Sequence, residues 1–238
     1  MEYRNFTVKP PITYETHERL LAYLFTFYPQ FPSKANKPII DAIRYKYTSW
    51  DNVHNIKRNI EMLDDAPADY HFICPALDFA NTYATNQQDV FFYHFTQRAS
   101  NHLWPEWFGV MHTDEIQFIF GEPLYQQANF TEEEKVFTRK LLKYWSNFAR
   151  YDNPNGCQDK KEQEKLNLTT LALEQSIEPW PKYQVLFDSE TNNQKAHLIL
   201  NAAQIKVDYN LRSDYCSFWN SYLPNLILNQ RELKLFLI

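Results

Sequence analysis

The chain has 238 residues, a formal net charge of −5, and 44% hydrophobic against 22% charged residues. That composition excludes a disordered chain, and the length allows a sizeable core. The acidic balance argues against nucleic acid as a partner, and no apolar run reaches the length of a membrane span. Glycine is scarce: three residues in the whole chain, far below a usual share of about 7%. A complete α/β enzyme places glycine at strand-to-helix turns, oxyanion loops and nucleophile elbows. Some of those parts are therefore expected to be missing. Met1 is followed by Glu2, Arg4 and Lys9 with no apolar stretch, so no secretion signal is expected in this chain.

Residues 1–12 read as an irregular lead-in ending in Pro10-Pro11. A helix is predicted from Thr13 or Thr16, with Leu20, Leu21, Leu24 and Phe27 on one stripe, stopping at Tyr28-Pro29. A second helix starts near Pro38 and carries Ile39, Ile40, Ile43 and Tyr47. Residues 51–68 read as polar and irregular, or partly helical. Residues 69–83 read as a buried helix interrupted near Cys74-Pro75. Asp89 to Phe95 is rich in aromatic strand formers and reads as a buried strand. Residues 98–114 form a loop with two tryptophans, followed by a short apolar stretch, Ile116 to Phe120, that ends at Gly121.

The clearest local signal is Thr131-Glu-Glu-Glu134, a capping box. Val136, Leu141, Leu142, Trp145 and Phe148 then mark a helical stripe, ended by Asp152-Asn-Pro-Asn-Gly156. Residues 157–180 read as a polar exposed loop. Tyr183 to Phe187 and His197 to Leu200 read as two short strands. A last helix from about Ser213 carries Phe218, Trp219, Tyr222, Leu223 and Leu226. Mixed strands and helices favour an α/β fold with the sheet only partly represented.

Three N-x-[ST] triplets, at Asn5, Asn129 and Asn167, are candidate glycosylation sites. Cys74, Cys157 and Cys216 make an odd count, for which one pair and one leftover thiol is the simplest arrangement. None stands in C-x-x-C spacing, so zinc and dithiol redox chemistry are not expected, and no cofactor or metal is expected. Seven histidines are present, and a histidine in a globular domain is usually a surface or core residue. His112 follows a loop after a strand, a place from which α/β enzymes work. On its surroundings alone it is one candidate among the seven.

Arg98-Ala-Ser-Asn101, Trp104-Pro-Glu-Trp107, His112-Thr-Asp-Glu115 and Phe118-Ile-Phe-Gly121 together resemble the catalytic-histidine region of cholinesterases and related type-B carboxylesterases. The same order continues through Tyr47-Thr-Ser-Trp50, Ile73-Cys-Pro75, Asn129-Phe-Thr131, Phe148-Ala149, Asn153-Pro-Asn155 and Cys216-Ser-Phe-Trp219. Residues 13–228 thus look like the C-terminal part of such a domain, with residues 229–238 as a tail. The resemblance implies an α/β-hydrolase fold whose sheet is incomplete without upstream strands.

It also implies a Ser/Glu/His triad in which serine attacks the ester carbonyl and His112 is general base and acid. The serine elbow G-x-S-x-G cannot be present, because the glycines are Gly109, Gly121 and Gly156. The glycine-rich oxyanion loop and the acidic triad member are missing too. Glu115 matches a family acid that braces the histidine loop. Trp104, Phe108 and Met111 match positions near the floor of the substrate gorge; cation–π contact with a quaternary ammonium and plain core packing are both open for them.

Cys74 and Cys216 match the family's disulfide in this half, and Asp69 and Arg212 match a charged pair beside it. Cys157 has no family counterpart and is either a thiol outside the bridge or an intermolecular link. Acetylcholinesterases have Gly-Tyr where this chain has Thr113-Asp114. That change removes an aromatic ring from the choline pocket, although the added carboxylate could favour a cationic substrate.

The implied partner is a small ester, a choline ester being favoured, and the implied assembly is a homodimer through the C-terminal helix. The full-length protein is expected to be secreted, with no membrane association encoded here. Three readings are open: part of a working esterase, part of a non-catalytic adhesion relative, or a truncated product starting at Met1. The chain alone is expected to fold poorly and to lack activity, because strand edges and apolar faces would be exposed.

Overall fold

The computed structural model describes residues 11–27, 37–157, 177–184 and 195–235. The chain divides into two compact units, one built from Tyr83–Leu211 and the other from the described residues up to Thr82 and from Arg212 onward.

The second of these units is helical. Helix α1 (Tyr14–Phe27) begins where Thr13 Oγ1 accepts the Thr16 N–H at 3.3 Å. Its buried row is His17, Leu21 and Phe25, spaced four residues apart. The expected stripe is therefore rotated: Leu21 is in the core, while Leu20 and Leu24 lie half-buried beside it. The side chain of Phe27 lies outside the described residues. Helix α2 (Lys37–Lys46) buries Ile39, Ile40 and Ile43, followed by Tyr47, as the pattern predicts.

Residues 56–68, read above as irregular or partly helical, form a complete helix, α3 (Ile56–Ala68). Asn55 caps it, its side chain accepting the Arg58 N–H at 3.1 Å. The helix is hard to see in the sequence because its buried row is Asn59, Met62 and Ala66. Asn59 is satisfied by donating its amide to the carbonyls of Ile12 and Val53 at 3.2 and 3.0 Å. A π-turn (Asp69–Ile73) then leads into α4 (Cys74–Thr85). This is the interruption expected near Cys74-Pro75, where Pro75 has no N–H to give the preceding turn. Only one face of α4 is buried, by Cys74, Leu77 and Ala80; Phe72 and Phe79 are exposed, so the expected buried helix is amphipathic instead.

Helix α7 (Ser213–Ser217), a second π-turn (Phe218–Tyr222) and helix α8 (Leu223–Leu235) complete this unit. Phe218, Trp219 and Leu223 are buried as expected, whereas Tyr222 is exposed. The bridge Cys74–Cys216 closes a separation of 142 residues. Beside it, Arg212 holds Asp69 through Nε at 2.9 Å and through Nη2, and reaches Asp65 at 2.9 Å. Tyr47 donates its hydroxyl to Asp69 at 2.7 Å and accepts the Trp219 indole N–H at 2.6 Å. Burial, then the Asp69 charge, pushes the Tyr47 phenol well above its ordinary range. The guanidinium also lies over the Tyr215 ring, 3.9 Å from its centroid.

The Tyr83–Leu211 unit carries the sheet, ordered β1 (Tyr93–Phe95), β2 (Ala196–Leu200), β3 (Lys206–Tyr209). β1 and β2 are parallel with Tyr93 opposite Leu198, and β2 and β3 are antiparallel with Leu198 opposite Val207. The strand expected over residues 89–95 pairs only over its last three. Val90 and Phe92 instead accept the N–H groups of Tyr183 and Leu198, and Phe92 also the Trp180 indole. Tyr183 and Gln184 are not in a strand; residues 185–187 of that expected strand lie outside the described ones. β3 has no counterpart in the sequence reading, because all four of its residues are exposed and show no buried alternation.

Helix α5 (Asp114–Ile119) and the long helix α6 (Glu132–Tyr151) cover the sheet. Both halves of the capping box form: Thr131 Oγ1 accepts the Glu134 N–H at 3.2 Å, and Glu134 accepts the Thr131 N–H at 2.9 Å. Phe137, Leu141 and Tyr144 meet Phe118, Leu198 and Leu200 in the core. Val136 and Phe148 of the expected stripe are 51% and 48% exposed, so the packed face lies one position further round. Asp152 ends the helix in the left-handed conformation, as the Asp-Asn-Pro-Asn-Gly run predicts. Of the loop expected over residues 157–180, Cys157 and Trp180 are buried rather than exposed; residues 158–176 lie outside the described ones. Cys157 takes no part in the disulfide. No helix among the described residues is long and apolar enough to cross a membrane.

Two predictions follow from these cores. Replacing Cys74 and Cys216 by alanine should lower the unfolding free energy by about 2–5 kcal/mol, measured by urea denaturation against the oxidised parent. The second concerns His17 and His197, whose imidazoles lie below the ordinary histidine range. Burial is the main cause in both; Arg44 adds to it at His17, and Asp208 opposes it at His197. Below about pH 6.5 the unfolded chain binds protons that the fold refuses, so stability is full above that pH and falls as pH drops. The fall is at most about 1.4 kcal/mol per pH unit for each histidine. The carboxyls of Asp64 and Asp65, raised by partial desolvation, act in the opposite sense. His17→Gln and His197→Gln should therefore each show a flatter loss than the parent in denaturation curves taken between about pH 7.5 and 5.5.

Candidate active-site loop

The loop that leaves the C-terminal end of β1 is anchored before it reaches His112. The side chain of Glu134 is buried under the 97–100 segment. Its carboxylate accepts the Ser100 N–H at 2.7 Å, the Ser100 hydroxyl, and the Gln97 amide at 3.3 Å. The capping residue of α6 thus also fixes the start of the loop. Arg98 donates through Nη2 to the Trp104 carbonyl, folding the loop back on itself. A 3-10 turn (Glu106–Phe108) follows and ends at Gly109, with φ 65° and ψ −139°. A Cβ there would meet nothing within 4 Å, so glycine is required by the backbone angles and not by space.

Trp104 and Phe108 pack with ring centroids 5.3 Å apart, and Trp107 and Phe108 at 4.1 Å. Trp104 is nevertheless 43% exposed, so this is a partly open aromatic cluster and not a sealed core. An aromatic cavity of about 170 Å³ elsewhere in the unit, walled by Phe91, Tyr93, Trp145 and Trp180 among others, includes none of these loop residues.

His112 itself is exposed. It sits in a turn closed by the Asp114 N–H, which donates to the Met111 carbonyl at 3.2 Å. Thr113, next in that turn, has φ 78° and ψ 2°, the left-handed conformation that a type II turn takes at its third residue. A β-branched residue is a genuine outlier there. Asp114 is buried and fully engaged: Oδ2 accepts the Met111 N–H at 2.7 Å, and Oδ1 lies 3.1 Å from His102 Nε2. The other nitrogen of that ring, Nδ1, accepts the Trp104 N–H at 3.2 Å. On sequence alone the Asp114 carboxylate is a candidate attractor for a cationic substrate. In the structure the group faces His102 and its own backbone turn, so it makes no direct contact with a ligand in the open part of the loop.

Glu115 is half-buried at the start of α5, and its charge adds to burial in raising the Tyr93 phenol. Asn129 is exposed just ahead of α6; Asn5 and Asn167 lie outside the described residues. The structure thus brings Trp104 and Phe108 together and ties Met111 to Asp114. The bracing roles of His102, Asp114 and Glu134 escaped the sequence reading. Glu134 was visible only as a capping residue, and nothing in a 12-residue loop spacing announces the His102–Asp114 pair. Among the described residues no group of three or more His, Cys, Asp or Glu is placed to hold a metal ion.

A family model described as "Carboxylesterase family" matches residues 7–219. The chain belongs to the carboxylesterase family. It is 38% identical to a protein named acetylcholinesterase from Bungarus fasciatus, over 81% of this chain and 28% of that protein. It is 35% identical to a protein named cholinesterase from Mus musculus, over 79% of this chain and 27% of that protein. An acetylcholinesterase from Electrophorus electricus is 32% identical, over 81% of this chain and 32% of that protein. The chain is a cholinesterase-like member of the family, and it spans about a third or less of the length of these relatives. Its three-stranded sheet with flanking helices is a partial α/β-hydrolase fold.

Because Glu134 satisfies three donors outside its own helix cap, Glu134→Ala should destabilise the Tyr83–Leu211 unit by about 1–3 kcal/mol or more. Urea denaturation measures the loss, and protease cleavage between residues 98 and 112 should become faster in the variant.

Proposed function

We propose that this chain supplies the general base and acid of a serine esterase of cholinesterase type. In this reading His112 takes the proton of a serine nucleophile and returns it to the leaving alcohol. The observation that carries the reading is the strand–loop–helix arrangement of residues 93–119, which presents an exposed His112 on a braced turn after β1. The serine and the acidic triad member belong to sequence outside this chain, since no G-x-S-x-G can be formed from Gly109, Gly121 and Gly156. Glu115 supports the histidine loop, and Trp104, Phe108 and Met111 line the wall for the alcohol part of the ester. An open aromatic pair suits a choline ester through cation–π contact.

The same reading takes residues 13–228 as the C-terminal part of one esterase domain. The protein is exported, with Asn5, Asn129 and Asn167 as glycan acceptors, and pairs through its C-terminal helix. The 238 residues alone are inactive. A second reading, an adhesion relative without catalysis, has one observation behind it: Thr113-Asp114 stands where acetylcholinesterases have Gly-Tyr, a change that resembles general carboxylesterases and also some inactive relatives, and that removes a pocket ring.

Expression of the full natural transcript product, assayed with choline and simple alkyl esters, separates the two. Esterase activity that falls by about 10³-fold or more in His112→Gln is the expected result. Activity unchanged in His112→Gln would overturn the assignment of this residue, and an inactive but folded and secreted product would favour adhesion.

A further inference from the structure

We propose that Asp114 and His102 are positioning residues that together clamp the turn carrying His112. The inference rests on the catalytic reading of His112 for its functional meaning, but not for its structural content. Three observations meet at one place. Thr113 holds the left-handed conformation, which is strained for a β-branched residue and persists only where its surroundings enforce it. The enforcement comes from Asp114, which closes the turn twice: its N–H donates to the Met111 carbonyl, and its carboxylate accepts the Met111 N–H. The remaining oxygen of Asp114 is held by His102, whose ring is itself fixed by the Trp104 N–H.

The chain of contacts therefore runs from Trp104 through His102 and Asp114 to Met111, and it encloses His112 and Thr113. Both side chains of the pair are almost buried, 11% and 10% exposed, so water competes little for their hydrogen bond. With Gly at position 113 the turn would form without strain. With Thr it depends on the clamp, and the imidazole of His112 is oriented by the backbone that the clamp holds. A displacement of about 1 Å at a catalytic group can cost about a hundredfold in rate.

The experiment uses the full natural product and three substitutions: Asp114→Asn, His102→Leu, and Thr113→Gly combined with Asp114→Asn. Asp114→Asn keeps an acceptor for the Met111 N–H and removes the charge facing His102, and His102→Leu removes the pair while keeping an apolar body of similar reach. Hydrogen exchange is followed by mass spectrometry on peptides spanning residues 109–118, alongside esterase kinetics. In both single variants we expect exchange at the Met111–Asp114 turn to quicken by about tenfold or more. The kcat should fall by about tenfold or more, with KM changed by less than about twofold. Thr113→Gly should recover most of the kcat lost in Asp114→Asn, because the strain that the clamp opposed is gone.

Unchanged exchange at the turn in both folded single variants would overturn the clamp, whatever the activity. Equal loss in kcat and KM without recovery by Thr113→Gly would reduce the pair to a general structural role and overturn positioning. A product with no esterase activity but faster turn exchange in the variants would keep the clamp and sink the catalytic reading. If Asp114→Asn does not fold, His102→Leu decides alone through its exchange and its KM-against-kcat split.

Discussion

A carboxylate taken out of water must be met by a cation or by several hydrogen-bond donors, because the unpaired charge is far more costly than any contact it could leave behind. Among the described residues three buried carboxylates organise the fold, each in its own way. Asp69 is fully buried and meets Arg212 on both oxygens, with Tyr47 on one of them. Glu134 meets Thr131, Ser100 and Gln97. Asp114 meets Met111 and His102. At Asp69 and Glu134 the donors come from different segments, so satisfying one charge fixes the relative positions of several stretches of chain.

The consequences differ by place. At Asp69 the partners stand far apart in sequence and beside the Cys74–Cys216 bridge, so covalent and ionic constraints act on the same junction of helices. Burial disfavours the charge on Arg212, yet Asp69 and Asp65 outweigh it and hold the guanidinium firmly protonated. At Glu134 the donors tie the start of a helix to the start of a loop. A cap that in isolation is worth about 1 kcal/mol here also sets where the loop to His112 begins. At Asp114 the donors are local, and what they fix is a strained turn.

The parts of the fold legible in the sequence are those where one strong local rule acts alone. The Thr131 capping box, the Asp152 stop and the isoleucine row of α2 are of this kind, and all three appear in the structure. The parts that were misread are those where tertiary packing chose between near-equivalent local answers. On α6 several apolar rows compete, and the sheet selects Phe137, Leu141 and Tyr144. On α3 a buried asparagine stands where an apolar residue would signal a helix. β3 exposes all its side chains and is held by backbone pairing to β2, which leaves no trace in a hydropathy pattern. For the candidate site, the motif around His112 was legible by resemblance. Its support was not, because the His102–Asp114 pair is a property of loop geometry that spacing does not encode.

That support bears on specificity as well as on geometry. Under the proposed reading, a carboxylate two residues after His112 would, if open to the pocket, attract a cationic alcohol such as choline. Here both its oxygens are already engaged, one by a backbone N–H and one by an imidazole, and the residue is buried. The carboxylate is thus held against its own turn and does not face open solvent. Under the proposed reading, contact with a quaternary ammonium falls to the aromatic faces of the same loop, where Trp104 packs on Phe108 and is still partly open to solvent. On that reading, Asp114 contributes by holding the turn around His112 and not by touching substrate.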